Sequence, residues 1–123
     1  MKHTLTLLEI ADAVEGRFVV PDRDPPTVIT EICAADLMSD VLANPRPEAI
    51  LLTGLTNAQS VRTATFSDLR AIVYVRGKMP DEQAVSLAKD EDMPLLVSEL
   101  SMFEACGRLY VACVADRGSP GEA

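Results

Sequence analysis

The chain predicts an α/β fold: a small, mostly parallel sheet of about 4–6 strands flanked by helices. Two observations carry that prediction. Between Ile50 and Phe103 three apolar runs recur, Ile50–Thr53, Ala71–Arg76 and Pro94–Ser98. Each then passes through a polar loop into a stretch with helical spacing. Strands buried on both faces read as continuous apolar runs, and strand–helix alternation makes the strands parallel. The loops opening with Gly54, Gly77 and Glu99 would therefore share the C-terminal edge of the sheet, where open α/β domains bind ligands.

From the N-terminus, Thr6 and Glu9 have the spacing of a capping box, in which each side chain satisfies the other's free backbone N–H. Leu7, Ile10, Ala11 and Val14 follow at helical intervals, and Gly16 is a natural C-terminal stop. Arg17–Val20 reads as a short strand. The prolines of segment 21–26 forbid regular structure, and they set a helix–strand leader, residues 1–20, apart from the rest. Thr27–Cys33 alternates and reads as one strand. A second helix is expected from about Asp36, burying Leu37, Met38, Val41 and Leu42, until Asn44-Pro45-Arg46-Pro47 ends it.

After the first long run, Thr56 and Gln59 repeat the capping-box spacing at the head of a helix reaching about Asp68, with Val61, Ala64 and Leu69 toward the sheet. Pro80 suits a first helical turn, and Asp81 and Glu82 favour its dipole. That helix runs to about Asp90 and buries Ala84, Val85 and Ala88. Ser101 and Glu104 form a further capping box, with Met102, Cys106 and Leu109 on one face. Tyr110–Ala115 fits either an extension of this helix or an edge strand. Residues 116–123 read as a flexible tail, and 1–115 as a single domain on which the leader packs.

At 123 residues, 48% of them apolar and 24% charged, the chain has the size and composition to bury one core. Its formal charge of −8 argues against nucleic acid as a partner. No apolar stretch reaches the roughly 20 residues of a membrane helix, and the N-terminus lacks a signal-peptide layout, so a cytoplasmic location is expected. Cys33, Cys106 and Cys113 are too dispersed for a disulfide framework and read as small hydrophobes. His3 is the single histidine, so neither a Ser–His or Cys–His pair nor a histidine metal site is supported. The expectation is a chain with no catalytic residue, no metal and no cofactor.

Three groups of residues remain for binding. Thr53-Gly54 and Thr56-Asn57 form a corner where free N–H groups and a helix dipole favour phosphate or carboxylate. Arg62, about one and a half turns along, would reach back to it. The other reading is plain capping with a solvated arginine. The Gly-Lys-Ser/Thr end of a Walker loop is missing. Arg76-Gly77-Lys78 is the most basic short stretch of the core region, either the cationic side of an anion site or a turn built on Gly77. The two carboxylates and the hydroxyl of Asp36, Ser39 and Asp40 suit either metal binding or acid–base work, or are ordinary residues that cap and solvate a helix start.

These segments resemble the DRTGG domain family. The likeness is best over Ala71–Arg108, where Arg76-Gly77-Lys78-Met79-Pro80-Asp81-Glu82 stands in place of the family's Thr-Gly-Gly, short link, proline and acidic residues. Ala88-Lys89, Met93-Pro94 and Ser101-Met102-Phe103 also fall at family positions. Thr27–Ala64 fits the preceding part, and Leu5–Val20 looks like the leader of HPr kinase N-terminal domains and Mur ligase substrate domains. Where the family has Asp-Arg, this chain has its Thr56-Asn57 region. A stand-alone subgroup is more similar. It shares Ala35-Asp36-Leu37-Met38-Ser39-Asp40-Val41-Leu42, Leu52-Thr53-Gly54-Leu55-Thr56-Asn57, Val75-Arg76-Gly77-Lys78 and Met102-Phe103-Glu104-Ala105-Cys106-Gly107. Its members occur near iron-only hydrogenase and electron-transfer genes in anaerobes.

The resemblance implies an HPr kinase N-terminal-domain-like fold in a homodimeric, non-catalytic protein that senses a ligand or docks a partner. Combined with the residues above, the expectation is a regulatory domain binding a small anionic ligand, nucleotide or phosphate-like, at the C-terminal edge of the sheet. Thr53, Gly54, Thr56 and Asn57 would form the anion corner, Arg62, Arg76, Gly77 and Lys78 its charged side, and Asp36 and Ser39 its polar wall. Two alternatives come with the subgroup's gene neighbourhood. One is an accessory module for an iron-only hydrogenase or electron-transfer complex. The other is an iron–sulfur redox protein, against which stands the usual need for four thiolates.

Overall fold

In the computed structural model, which describes residues 4–115, strand β1 (Leu5–Thr6) runs straight into helix α1 (Leu7–Ala13). The expected capping box forms: Glu9 N–H donates to the Thr6 hydroxyl, and Thr6 N–H donates to the Glu9 carboxylate. Val14 is the C-cap, and Glu15 rather than Gly16 takes the left-handed turn, at φ 53°. Strand β2 follows at Arg17–Val20. The single strand expected over Thr27–Cys33 is in fact two. Val28–Ile29 (β3) pairs antiparallel with β1, whereas Glu31–Ala34 (β4) joins the main sheet. Alternation within a sequence says nothing of partners, so a change of partner at Thr30 leaves no trace in it.

Helix α2 (Met38–Ala43) starts two residues later than expected, with Leu37 as an N-cap that makes no side-chain bond. At six residues it presents one narrow stripe, so Met38 and Val41 are buried while Leu37 and Leu42 stay exposed. Strand β5 (Ala49–Thr53), helix α3 (Ala58–Phe66), strand β6 (Ala71–Tyr74), helix α4 (Glu82–Asp90) and strand β7 (Leu95–Val97) follow. The last described element is helix α5 (Met102–Ala115), so Tyr110–Ala115 is helical. The tail expected over 116–123 lies outside the described residues. Pro80 stands just before the N-cap of α4, Asp81, rather than inside the first turn.

The main sheet has the order β2-β7-β6-β5-β4. Strands β4 to β7 are parallel, and β2 closes one edge antiparallel to β7. Every residue of β5, β6 and β7 is buried, which is why their sequences read as unbroken apolar runs. Their side chains divide between two layers. Leu51, Ile72, Tyr74 and Leu95 pack with Met38, Val61, Ala64 and Ala84 of α2, α3 and α4. Ile50, Leu52, Val73 and Leu96 pack on the other face with Leu7, Ile10 and Leu109 of α1 and α5.

This winding shapes the C-terminal edge of the sheet. Each crossover from β4 to β7 steps the same way across the sheet, with its helix on the same face. Among the parallel strands there is no reversal of order and therefore no switch-point crevice. Their C-terminal edge is instead a row of four adjacent loops, which begin at Ala35, Gly54, Val75 and Ser98.

Candidate functional site

Parallel register brings three of these loops onto one glycine. Ala34 lies beside Leu52, and Thr53 beside Tyr74. The residues just past the strand ends therefore converge on Gly54. Its N–H donates to Asp36 Oδ1 at 2.7 Å, and the buried Thr53 hydroxyl donates to the same oxygen at 3.4 Å. The Asp36 Oδ2 faces Arg76 Nη2 at 3.5 Å. From the other side, Lys78 Nζ donates to the Gly54 carbonyl at 3.3 Å. A Cβ built on Gly54 would run into the Arg76 guanidinium, so this position is held to glycine by a side chain lying over it.

The Asp36 carboxyl is held below the usual aspartate range, first by the Gly54 N–H and then by the Arg76 guanidinium and the Thr53 hydroxyl, which together outweigh its partial burial. Asp36 is thus an internal anion seated on the N–H that the sequence offered to a ligand. Both partners of the ion pair remain open to water, Arg76 being 40% and Asp36 56% exposed. Such a pair is screened and weakly held.

The backbone of the basic loop is unusual for its sequence. Arg76 and Gly77 both have positive φ, 62° and 66°, and Lys78 N–H donates to the Val75 carbonyl at 3.3 Å. This is the pattern of a type I′ turn. The turn hooks onto the loop after β7: Arg76 N–H donates to Leu100 O and Gly77 N–H to Ser98 O, both at 2.8 Å. The Glu99 carboxylate sits over Gly77, where a Cβ would meet it. Glu99 is a carboxylate of this edge that the sequence did not single out. Behind the edge, Ser98 donates to Val14 O at 2.7 Å and accepts Leu100 N–H.

The remaining expected residues divide. The N-cap of α3 is Asn57, whose Oδ1 accepts Gln59 N–H, so the capping box expected of Thr56 and Gln59 does not form. Asparagine is the stronger N-cap and wins the position. Thr56 instead accepts Asp81 N–H through its carbonyl, tying this loop to the head of α4. Ser39 is exposed on α2 and makes no hydrogen bond to the Gly54 cluster. Arg62 does not reach back; it lines a hollow of about 400 Å³ with Phe66, Leu87 and Glu91. Of the ten expected residues, then, Asp36, Thr53, Gly54, Arg76 and Lys78 meet at one point, while Gly77, Thr56 and Asn57 shape its loops.

The opposite edge of the sheet has the reverse electrostatics. A hollow of about 590 Å³ there is lined by Asp22, Asp24, Glu48, Asp68, Glu91 and Asp92, against Arg23 and Arg70. Its surplus of carboxylates repels anions. The three thiols do not converge either: Cys33 packs in the layer of α2–α4, while Cys106 and Cys113 pack on the other side of the sheet. Burial also pushes the Cys33 and Cys106 thiols up, away from the thiolate that binds iron. The iron–sulfur alternative therefore lacks a centre among the described residues, where no group of three His, Cys, Asp or Glu is placed to hold a metal. No described helix is long and apolar enough to cross a membrane.

No protein-family model matches the sequence, and no curated protein does either. Among solved structures, the chain is similar to the CBS and DRTGG domains of the regulatory region of Clostridium perfringens pyrophosphatase, a structure complexed with its activator, diadenosine tetraphosphate. The TM-score is 0.75 at 14% sequence identity, over 88% of this chain and 47% of that one. This chain thus spans about half the length of its structural neighbour. At that identity the likeness concerns the fold, and the α/β architecture expected from the sequence is the one shared.

Proposed function

We propose that this chain is a DRTGG-like regulatory domain, without catalysis of its own, that binds a small anionic ligand of nucleotide or phosphate type at the C-terminal edge of its sheet. The observation that carries the reading is the clasp around Gly54. A backbone N–H and a guanidinium converge there on the half-exposed Asp36 carboxylate, and an ammonium stands beside them on the Gly54 carbonyl. A ligand phosphate or carboxylate takes the place of Asp36 on Gly54 N–H and Arg76, with charge-assisted bonds stronger than the screened internal pair. The fold likeness to a nucleotide-activated regulatory region supports the ligand class.

The test is a thermal-shift and calorimetric panel of inorganic phosphate, acetyl phosphate, ATP and diadenosine tetraphosphate. A binding anion raises Tm by mass action. Asp36→Asn removes the competing charge and is expected to bind more tightly, whereas Arg76→Ala with Lys78→Ala loses binding. A panel that moves Tm of neither the wild type nor Asp36→Asn overturns the reading.

A further inference from the structure

Helix α2 is thinly anchored. Its six residues fall well short of the length at which a helix holds itself in water, so it depends on what the rest of the chain supplies. Packing engages two side chains: Met38 and Val41 are buried, while Leu37 and Leu42 are 61% and 47% exposed. Helices α1, α3, α4 and α5 each open on a side chain that caps them, Thr6, Asn57, Asp81 and Ser101. The N-cap of α2, Leu37, makes no such bond. Among the described residues, no hydrogen bond or ion pair runs from segment 37–44 to another element. Asp40 N–H, Asn44 N–H and the Asn44 side-chain amide all bond within the segment.

The polar anchors stop just ahead of the helix. Ala35 N–H donates to Leu52 O at 3.0 Å, and the Asp36 carboxylate takes the Gly54 N–H, the Thr53 hydroxyl and the Arg76 guanidinium. An acidic residue at a helix head ordinarily serves that helix. Asp36 instead ties the head of α2 to the loops after β5 and β6.

We propose that Asp36 is a tether through which the Gly54 site controls α2: an anion that takes Gly54 N–H and Arg76 expels the carboxylate and loosens the helix. The inference rests on the ligand reading above and adds its conformational output. The bound anion and the displaced carboxylate carry like charges and repel, so Asp36 cannot stay beside the donors it has lost. Asp36 adjoins Leu37, so its departure shifts the N-cap and leaves α2 held by the burial of Met38 and Val41.

Amide hydrogen exchange of the full chain, with and without phosphate, acetyl phosphate, ATP and diadenosine tetraphosphate, tests the tether. An anion that only stabilises the folded state slows exchange throughout. With the tether, the amides of β5 and β6 slow while those of segment 40–44 exchange about 3–10-fold faster, the scale of a lost hydrogen bond and screened ion pair. In Asp36→Ala no carboxylate remains to be expelled, so segment 40–44 exchanges faster from the start and an anion speeds it no further. Circular dichroism checks that this variant folds, and the wild-type comparison stands without it. An anion that slows β5 and β6 but does not speed segment 40–44 overturns the tether and leaves the ligand reading intact. Four anions that move no amide overturn both. A speed-up that persists in Asp36→Ala also removes Asp36 as the tether.

Discussion

Asp36 Oδ1 accepts the Gly54 N–H at 2.7 Å, joining the ends of two neighbouring parallel strands. The bond places a carboxylate where an α/β edge ordinarily receives its ligand, and a cation, Arg76, on the far oxygen. A charge that holds the loops in register also blocks the donor beneath it. This dual role makes Asp36 the residue whose replacement separates stability from binding.

Asp36→Asn keeps the shape and removes the charge. At pH 7 it is expected to lose no more than about 1 kcal/mol, because the carboxylate is half exposed and solvent screens it. The folded-state pKa lies below the ordinary aspartate value of about 3.9, so the charge contributes fully above that pH. The contribution fades as pH falls through the lower, folded-state value. Urea unfolding from pH 7 into acid should therefore show the wild-type advantage shrinking below about pH 4. An advantage that is constant across that range would show that the charge is not what matters.

The two glycines of the edge should respond differently to alanine. In Gly54→Ala the new Cβ meets the mobile end of Arg76, which swings away and releases Asp36. The backbone is unstrained and the unfolded chain loses freedom, so stability should stay within about 1 kcal/mol of wild type. Anion binding, however, should be lost. In Gly77→Ala the residue keeps a left-handed φ of 66° and also presses on Glu99. A cost of about 1–2 kcal/mol is expected there. Chemical denaturation of both variants gives the order; equal losses would contradict it.

How much of this was legible in the sequence follows from what each feature depends on. The strands β5, β6 and β7 were legible because burial on both faces writes itself as continuous apolar residues. Parallel order then placed Gly54, Arg76 and Lys78 on one edge. What escaped depends on partners far along the chain. The break at Thr30 arises because two halves of one alternating run pair with different strands. Asp36 and Gly54 are eighteen residues apart, and only the β4–β5 register joins them. Glu99 reaches Gly77 because Ser98 O accepts the Gly77 N–H. At the head of α3 both Thr56 and Asn57 fit the local pattern, and the choice fell to the residue whose side chain meets Gln59 N–H. Gly77 marks a left-handed turn, but nothing marks Arg76, which adopts the same conformation beside it.

Tyr74 is fully buried at the end of β6, with its hydroxyl 2.7 Å from Ser60 Oγ. Ser60 gives its own proton to the Asn57 carbonyl at 2.8 Å, so Tyr74 is the donor and the chain of bonds runs from β6 to the N-cap of α3. Burial, with help from the charge of Asp81, pushes the phenol up to about 12 despite the opposing Ser60 bond. Tyr74→Phe leaves the Ser60–Asn57 bond in place and should cost about 1 kcal/mol at neutral pH. Above about pH 10 the unfolded wild type ionises this phenol while the folded protein does not, and stability is lost as pH rises toward 12. Tyr74→Phe has no such group to ionise, so its deficit should narrow over that interval. Paired denaturation curves at pH 8 and pH 11 measure the gap, and a gap that widens at pH 11 would mean the phenol is already ionised in the folded state.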